Sequence, residues 1–287
     1  MSAHPKFIAE VSSNHHSDLE RCLRFVDVAA EVGCDAVKFQ LFKVTELFAP
    51  EILKQSAEHR ERVNWELPVS FLSPIAKHAE KKGLQFGCTP FYLDAVGTLL
   101  PFVDFFKIAS YELLWADLAK ACSKTGKPII ISTGMATLEE IKASVDVIRK
   151  SQNIDLSILH CVSGYPVPSN ECNLSAIETI RQVCDCPTGW SDHSVSPAVI
   201  YRAINRWGAS HIEFHLDLDG TGEEFGPGHC WLPAQIDEVI RTIKDGVAAD
   251  GDGEKKPVPS EMDDRFWRAD PSDGLRPLKS IRDVWTG

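Results

Sequence analysis

No stretch of this 287-residue chain approaches 18 consecutive apolar residues, so the sequence offers no membrane-spanning helix. Its start, MSAHPKFIAEVSSNHH, lacks the long apolar core of a secretory signal, and no leader is expected there. Positive charge is in deficit, 30 Lys+Arg against 41 Asp+Glu for a net −11, and no Lys/Arg cluster offsets it. A nucleic-acid partner is therefore not expected. An anionic small substrate stays admissible, because a few lysines and backbone amides in a cleft set the local field. The glycine fingerprint G-x-G-x-x-G is also absent, which demotes a dinucleotide-binding open sheet to runner-up. A secreted disulfide framework does not fit nine cysteines, an odd number scattered along the chain. Cys22, Cys34, Cys122 and Cys184 sit in apolar helical contexts where a free thiol acts as a small hydrophobe. Cys184 and Cys186 are too close and too isolated for a zinc knuckle. Reduced thiols point to the cytoplasm.

What is present is a soluble globular composition, 44% hydrophobic and 25% charged, with enough length for two domains or one α/β barrel. Strand-like segments at 6–12, 36–42, 85–90, 105–110, 128–133, 156–162, 188–192 and 211–217 alternate with helical patterns. The clearest helix is 18–32, with Leu19, Cys22, Leu23, Val26, Ala29 and Ala30 on one face and Gly33 as its stop. Another begins at the capping box Thr137-Leu-Glu-Glu140, a third at Pro197, and the eighth covers 233–247. Eight strands each followed by a helix are the arithmetic of a (β/α)8 TIM barrel. Residues 1–250 are read as the catalytic barrel. The long connection 43–69 is read as a lid or substrate loop. The tail 251–287 carries Phe266, Trp267 and Trp285 without periodicity, and is expected to pack on the barrel or a partner subunit.

The segment His211-Ile-Glu-Phe-His-Leu216 is the most telling. On a strand, alternate residues face opposite ways, so His211, Glu213 and His215 share one face and Ile212, Phe214 and Leu216 the other. Packing alone explains such a strand poorly. It looks like a barrel strand whose inner face ends in a metal or catalytic site. Reactive groups end nearly every other strand too: Glu10 with Asn14 and His15, Lys38 and Gln40, Thr89, Lys107 with Ser110 and Glu112, Ser132 and Thr133, His160 with Ser163 and Tyr165, then Ser191, Asp192 and His193. Singly each is mundane, but so many convergent sets are not. Lys38 and Lys107 with the hydroxyls of Thr89, Ser110, Ser132 and Ser191 would cradle a phosphate. His193 and His215 could share a divalent ion, and imidazole with oxygen ligands suits manganese, cobalt, iron or zinc. The carboxylates Glu10, Glu112 and Glu213 could orient water or move protons.

The stretches IAEVSSNHHSDLERC, AVKFQ, CTPF, FKIASYEL, GKPIIISTGMATLEEI, LHCVSGYPVP, GWSDHS and IEFHLDLD occur in that order across about residues 7–230. Together they resemble the sialic acid synthase (NeuB-type) family, which condenses phosphoenolpyruvate with an N-acyl-hexosamine and releases phosphate. By that resemblance, Lys38, Thr89, Lys107, Ser110, Ser132 and Ser191 hold phosphoenolpyruvate, and His193 and His215 ligate the metal. Manganese is the first expectation for that metal, magnesium or cobalt the alternatives. Glu10, Lys38, Lys107 and Glu213 are then catalytic, while Gln40, Asn64, Glu112, Ser163 and Tyr165 surround the acceptor sugar. The resemblance also implies a homodimer. Three departures stand out. The family's Gly-Pro-Asp-His reads Gly226-Pro-Gly-His229 here, removing a carboxylate near the metal that Glu223 or Glu224 could replace, or that His229 could answer by joining the ion. Ser163 stands where characterised members carry Asn. The usual C-terminal antifreeze-like domain, which donates an arginine to the acceptor, does not follow, and Arg268 or Arg276 of the tail is the expected substitute. The competing readings are a Schiff-base aldolase using Lys38 or Lys107, and a lapsed barrel that only binds a phosphorylated ligand.

Overall fold

Eight parallel strands close on themselves in sequence order: β1 Lys6–Glu10, β2 Ala36–Leu41, β3 Gln85–Pro90, β4 Phe105–Ile108, β5 Ile129–Ser132, β6 Leu156–Cys161, β7 Thr188–Asp192 and β8 His211–His215. The coordinates are a computed structural model describing residues 5–151 and 155–286. Helices on the outer ring are α1 Leu19–Glu31, α5 Leu72–Lys81, α6 Leu93–Leu99, α7 Ala116–Lys124, α8 Leu138–Ser151, α9 Ala176–Cys184, α10 Pro197–Asn205 and α11 Pro233–Asp250. The expected (β/α)8 barrel is thus the fold. Asp18 caps α1 by accepting from the Arg21 amide, and Thr137 with Glu140 forms the capping box ahead of α8.

Period-two alternation sorts the side chains. Phe7, Val37, Phe39, Phe106, Ile131, Trp190, Ile212 and Phe214 face outward into one large core beneath the helices. Ile8, Ala36, Phe105, Ile130 and Leu159 form a separate apolar plug. Above that plug the inward positions turn polar. The register sets Glu10 beside both Lys38 and His215, and Ser191 beside Glu213, so the alternating pattern becomes a ring of charge at the carboxyl ends. Gly87 is required by the plug, since a Cβ there would lie 2.2 Å from the Phe105 ring.

Six of the eight strands are shorter than the sequence suggests, while β3 and β7 keep the expected bounds. The reading 105–110 stops at Ile108 because Ser110–Glu112 coils into a 3-10 turn, and 211–217 stops at His215. Those extra residues leave the ladder to carry the site. The connection 43–69 is not structureless either. It folds into α2 Val44–Leu47, α3 Pro50–Gln55, α4 Ala57–Glu61 and a 3-10 turn at Arg62–Trp65. Pro50 opens α3, and Ser56 caps α4 by accepting from the His59 amide at 3.3 Å.

The chain separates into compact units, Met1–Asp245 and Gly246–Gly287. The second has short 3-10 turns, the helix α12 Lys279–Arg282, and an edge-to-face Trp267–Trp285 pair with centroids 5.3 Å apart. Asp270 ties it together by accepting from the Lys279 and Ser272 amides at 2.8 and 2.9 Å. Among the described residues no helix is long and apolar enough to cross a membrane.

Two histidines make stability depend on pH. Burial pushes the pKa of His15 down to about 4, and that of His211 to about 4 as well. Both are neutral in the fold, and His15 Nδ1 accepts from the Ser17 amide at 2.9 Å. The unfolded chain takes up protons near pH 6.5 that the fold refuses. Stability is thus full above that pH and is lost as pH falls toward 4, by up to about 3 kcal/mol for His15 and less for the partly exposed His211. Urea unfolding at pH 7.5 and pH 5 should show the loss, and His15→Gln should reduce the difference between them. An unchanged difference would remove this account.

Candidate active site

The carboxyl ends of the strands open into a cavity of about 630 Å³. At its floor, Lys38 and Lys107 are both 2% exposed, two ammonium groups inside a barrel. Each is balanced. Lys38 pairs with Glu10 and donates to Thr89 Oγ1 at 3.2 Å. Lys107 donates to Ser132 Oγ at 2.7 Å and to Glu213 Oε1 at 3.2 Å, which also accepts from Ser191 Oγ at 3.4 Å. Burial disfavours every one of these charges. For Glu213 the fields of Lys107 and Lys38 override it and hold the carboxyl below the usual carboxylate range. Burial keeps Lys107 below the usual lysine value, whereas Glu10 and Glu213 outweigh it at Lys38 and hold that ammonium above. Ser110 Oγ accepts from the Gly134 amide at 2.9 Å, placing its hydroxyl on the same wall.

Beside this floor stand His193 and His215, ring centroids 5.2 Å apart. His193 Nδ1 donates to the Val162 carbonyl at 2.8 Å, and His215 Nδ1 to Glu224 Oε2 at 3.0 Å. Because both partners can only accept, Nδ1 donates in each ring and Nε2 is the nitrogen left for a ligand. Of the two carboxylates near Gly228 in the sequence, Glu224 lines the cavity, whereas Glu223 is exposed. Burial works against the charge of Glu224, yet the hydrogen bond from His215, the His229 ring 3.6 Å away and a hydrogen bond from Ser12 hold it below the usual range. Asn14 positions it, accepting from the Glu224 amide at 2.8 Å and donating to the Leu216 carbonyl at 3.0 Å. His229 lines the cavity next to His215, centroids 4.9 Å apart, and Tyr165 packs on His193 at 4.2 Å.

Also lining the cavity, Gln40 Nε2 donates to Glu10 Oε1 at 2.8 Å, and Glu112 has its pKa pushed up to about 7 by burial. Glu112 Oε2, Ser163 Oγ, Glu213 Oε2 and His229 Nδ1 are buried without hydrogen-bond partners. Orphaned polar atoms at that density are what a site awaiting a polar ligand leaves behind.

Several polar residues of the first compact unit lie away from the cavity. His211 is at the other end of β8, lining a separate small cavity with Lys6 and Asp155. His160 and Asp192 face outward: His160 Nε2 lies 3.0 Å from the Cys172 carbonyl, and Asp192 accepts from the indoles of Trp190 and Trp231, both at 2.9 Å. Asn64 is exposed, its carbonyl accepting from Ser17 Oγ at 2.9 Å, while its neighbours Arg62 and Trp65 line the cavity. Arg268 and Arg276 belong to the second compact unit, where Arg268 Nε donates to the Arg265 carbonyl at 2.8 Å. Sequence reading passed over Arg62, which lies between Phe48 and Trp65 with its carbon 5.6 and 5.2 Å from their ring centres and its Nε buried and unpaired. The i, i+3 spacing of Arg62 and Trp65 was the available signal.

A closed parallel barrel with buried lysines, hydroxyls, carboxylates and paired imidazoles at one mouth defines a barrel enzyme that handles a small anion. A model of the NeuB family matches residues 25–255. The chain is 37% identical to the uncharacterized protein MJ1065 of Methanocaldococcus jannaschii over 90% of this chain and 76% of that one. It is 34% identical to the N,N'-diacetyllegionaminic acid synthase of Campylobacter jejuni, over 89% of this chain and 80% of the relative. The crystal structure of N-acetylneuraminic acid synthetase from Leptospira borgpetersenii, in complex with citrate, superposes with a TM-score of 0.79 at 30% identity, covering 91% of this chain and 90% of that one. The chain belongs to the NeuB family and is a sialic-acid-type synthase, a phosphoenolpyruvate-dependent transferase.

Proposed function

We propose that the chain condenses phosphoenolpyruvate with an N-acyl-hexosamine to give a nonulosonic, sialic-type acid and phosphate, with a divalent metal, manganese first among candidates, held by His193 and His215. The observation that carries this reading is the floor itself: two buried lysines beside two histidines that both present Nε2. Lys38, Lys107, Thr89, Ser110, Ser132 and Ser191 would receive the phosphate and carboxylate of phosphoenolpyruvate. When bound, the metal supplies Lewis acidity at the acceptor's aldehyde. C3 of phosphoenolpyruvate then bonds to that carbon, water adds at C2, and the intermediate loses phosphate by C–O cleavage. Lys38 and Lys107 offset the negative charge throughout. Glu10 and Glu213 orient water, and Glu112, poised near neutrality, is suited to move a proton at the acceptor. Gln40, Ser163 and Tyr165 complete the acceptor wall. Unpaired thiols at all nine cysteines support a cytoplasmic setting, and the family resemblance supports a homodimer.

Phosphate release after metal stripping and Mn²⁺ return, across a panel of N-acyl and plain aldoses, tests the reading. Release is expected only with metal and one class of acceptor together. Release with no acceptor dependence, or none at all despite phosphoenolpyruvate binding, would overturn it. A Schiff-base aldolase draws one observation to itself, the depressed pKa of Lys107, and borohydride trapping with substrate discriminates. No trapping is expected, because Lys107 is ion-paired with Glu213.

Arg62 supplies a fork of donors at the far wall, framed by Phe48 and Trp65, which suits an acyl group's carbonyl and methyl. Arg62→Ala is expected to raise the acceptor KM about tenfold with kcat within about twofold, the signature of binding shared by ground and transition states. Steady-state kinetics at saturating phosphoenolpyruvate checks it. An unchanged KM would detach Arg62 from the acceptor.

A further inference from the structure

His229 repeats a pattern set by its two neighbours. In His193 and His215 one ring nitrogen is tied to an oxygen acceptor, Val162 carbonyl or Glu224, and the other is left for a ligand. In His229, Nε2 lies 3.6 Å from that same Glu224 oxygen, and Nδ1 is buried with no partner at all. The side chain is 5% exposed, so water is a poor substitute partner. A buried nitrogen left unmet destabilises the fold, and a bound ion would remove that penalty. The ligand atoms of His215, His229 and Cys230 lie within 4.8 Å of one another, and the His193 ring centre is 5.2 Å from that of His215 and 6.3 Å from that of His229. Cys230 is the weaker member of that group, because its thiol already donates to the Glu224 carbonyl at 3.3 Å and meets Asn14 at 3.6 Å.

We propose that His229 is a third ligand of the metal centre, joining His193 and His215, and that Glu224 is the shared outer carboxylate orienting two of the three rings. The inference rests on the reading that His193 and His215 hold a divalent ion. Glu224 acts through the histidines and is a positioning residue rather than a ligand, since its Oε2 is engaged with His215 Nδ1. A centre of three imidazoles favours cobalt, iron or zinc more strongly than two imidazoles among water would, so this chain's metal preference shifts in that direction.

The test reads metal binding rather than turnover. The chelator-stripped chain is titrated with Co²⁺ by visible absorption and with Mn²⁺ by equilibrium dialysis, for wild type, His229→Gln, His193→Gln and Glu224→Gln. Circular dichroism of the metal-free forms checks folding. His229→Gln is expected to weaken Co²⁺ binding at least about tenfold and to change the band shape, with Glu224→Gln weakening it about 10-fold or more. A His229→Gln titration that superposes on wild type, while His193→Gln is weakened, would overturn the inference and leave the two-histidine reading standing. Wild type that takes up no ion would overturn both. An intense near-ultraviolet thiolate band would give the third place to Cys230 and overturn it equally. One measurement needs no variant: in wild type, ¹⁵N resonances of the His229 ring should move on Zn²⁺ addition together with those of His193 and His215. Their staying fixed while the other two move would count against His229.

Discussion

Lys107→Met is expected to lower kcat/KM by about 10²–10³, the effect of deleting one preorganised donor aimed at developing charge. A second consequence is expected in the fold itself. Lys107 and Glu213 are an ion pair 3.2 Å apart, with side chains 3% and 5% exposed. Removing the cation strands a buried carboxylate, which costs about 3–5 kcal/mol where such pairs are broken singly. Lys38 still faces Glu213 and keeps the loss toward the lower end. The two effects come apart in the double variant Lys107→Met/Glu213→Gln. Taking away the stranded charge should restore much of the melting temperature while leaving activity at or below that of the single variant. Thermal melts and initial rates of phosphate release on the same preparations would show it. If the single variant keeps wild-type kcat/KM, Lys107 has no part in the chemistry; if the double variant is as unstable as the single, the stranded charge is not the cause.

Why so much of this site could be read without coordinates follows from the geometry of strands. A parallel strand buried on both faces must choose which residues point into the barrel, and the period of two fixes that choice once one polar residue is placed. Glu213 and His215 on β8, Lys38 and Gln40 on β2, and Ser191 on β7 were legible for that reason. The same rule sorts the polar residues that lie away from the site. His211 shares the inner face with Glu213 and His215, but two residues along a strand is about 7 Å, and the site occupies only one end. His160 and Asp192 stand one residue out of phase with the inner positions of their strands and face the helices. Loops have no such period. Asn64 lies in a segment whose local folding decides orientation, and the 3-10 turn at Arg62–Trp65 brings Arg62 and Trp65 to the cavity while Asn64 stays exposed. Glu224 was one of two candidates in the sequence. Its contacts with Asn14, some 210 residues away in the chain, and with Ser12 and His215 distinguish it from the exposed Glu223.

Gly189→Ala is expected to unsettle the site without touching any ligand. Gly189 lies in β7, two residues before Ser191, and a Cβ built there would stand 2.2 Å from the His211 carbonyl oxygen and 2.8 Å from Leu159 Cδ2. The leucine tip could rotate. The carbonyl cannot, because it belongs to the adjacent strand β8, and no rotamer change moves a backbone atom. The barrel must therefore part locally, against a plug in which Leu159 is fully buried. Overpacking of side chains costs about 1–3 kcal/mol, and a clash with backbone belongs at the top of that range or beyond. For a chain of this size that corresponds to about a 6–12 °C fall in melting temperature. The shift would carry Ser191, Glu213 and His215 with it, so kcat should fall more than the stability loss alone explains at temperatures well below the melt. Gly226→Ala is the matched control: it has nothing within 4 Å of the added methyl and should melt within about 0.5 kcal/mol of wild type. Should Gly189→Ala melt with the control, β7 and β8 would not approach as closely as the barrel requires, and the placement of Ser191 beside Glu213 would have to be drawn again.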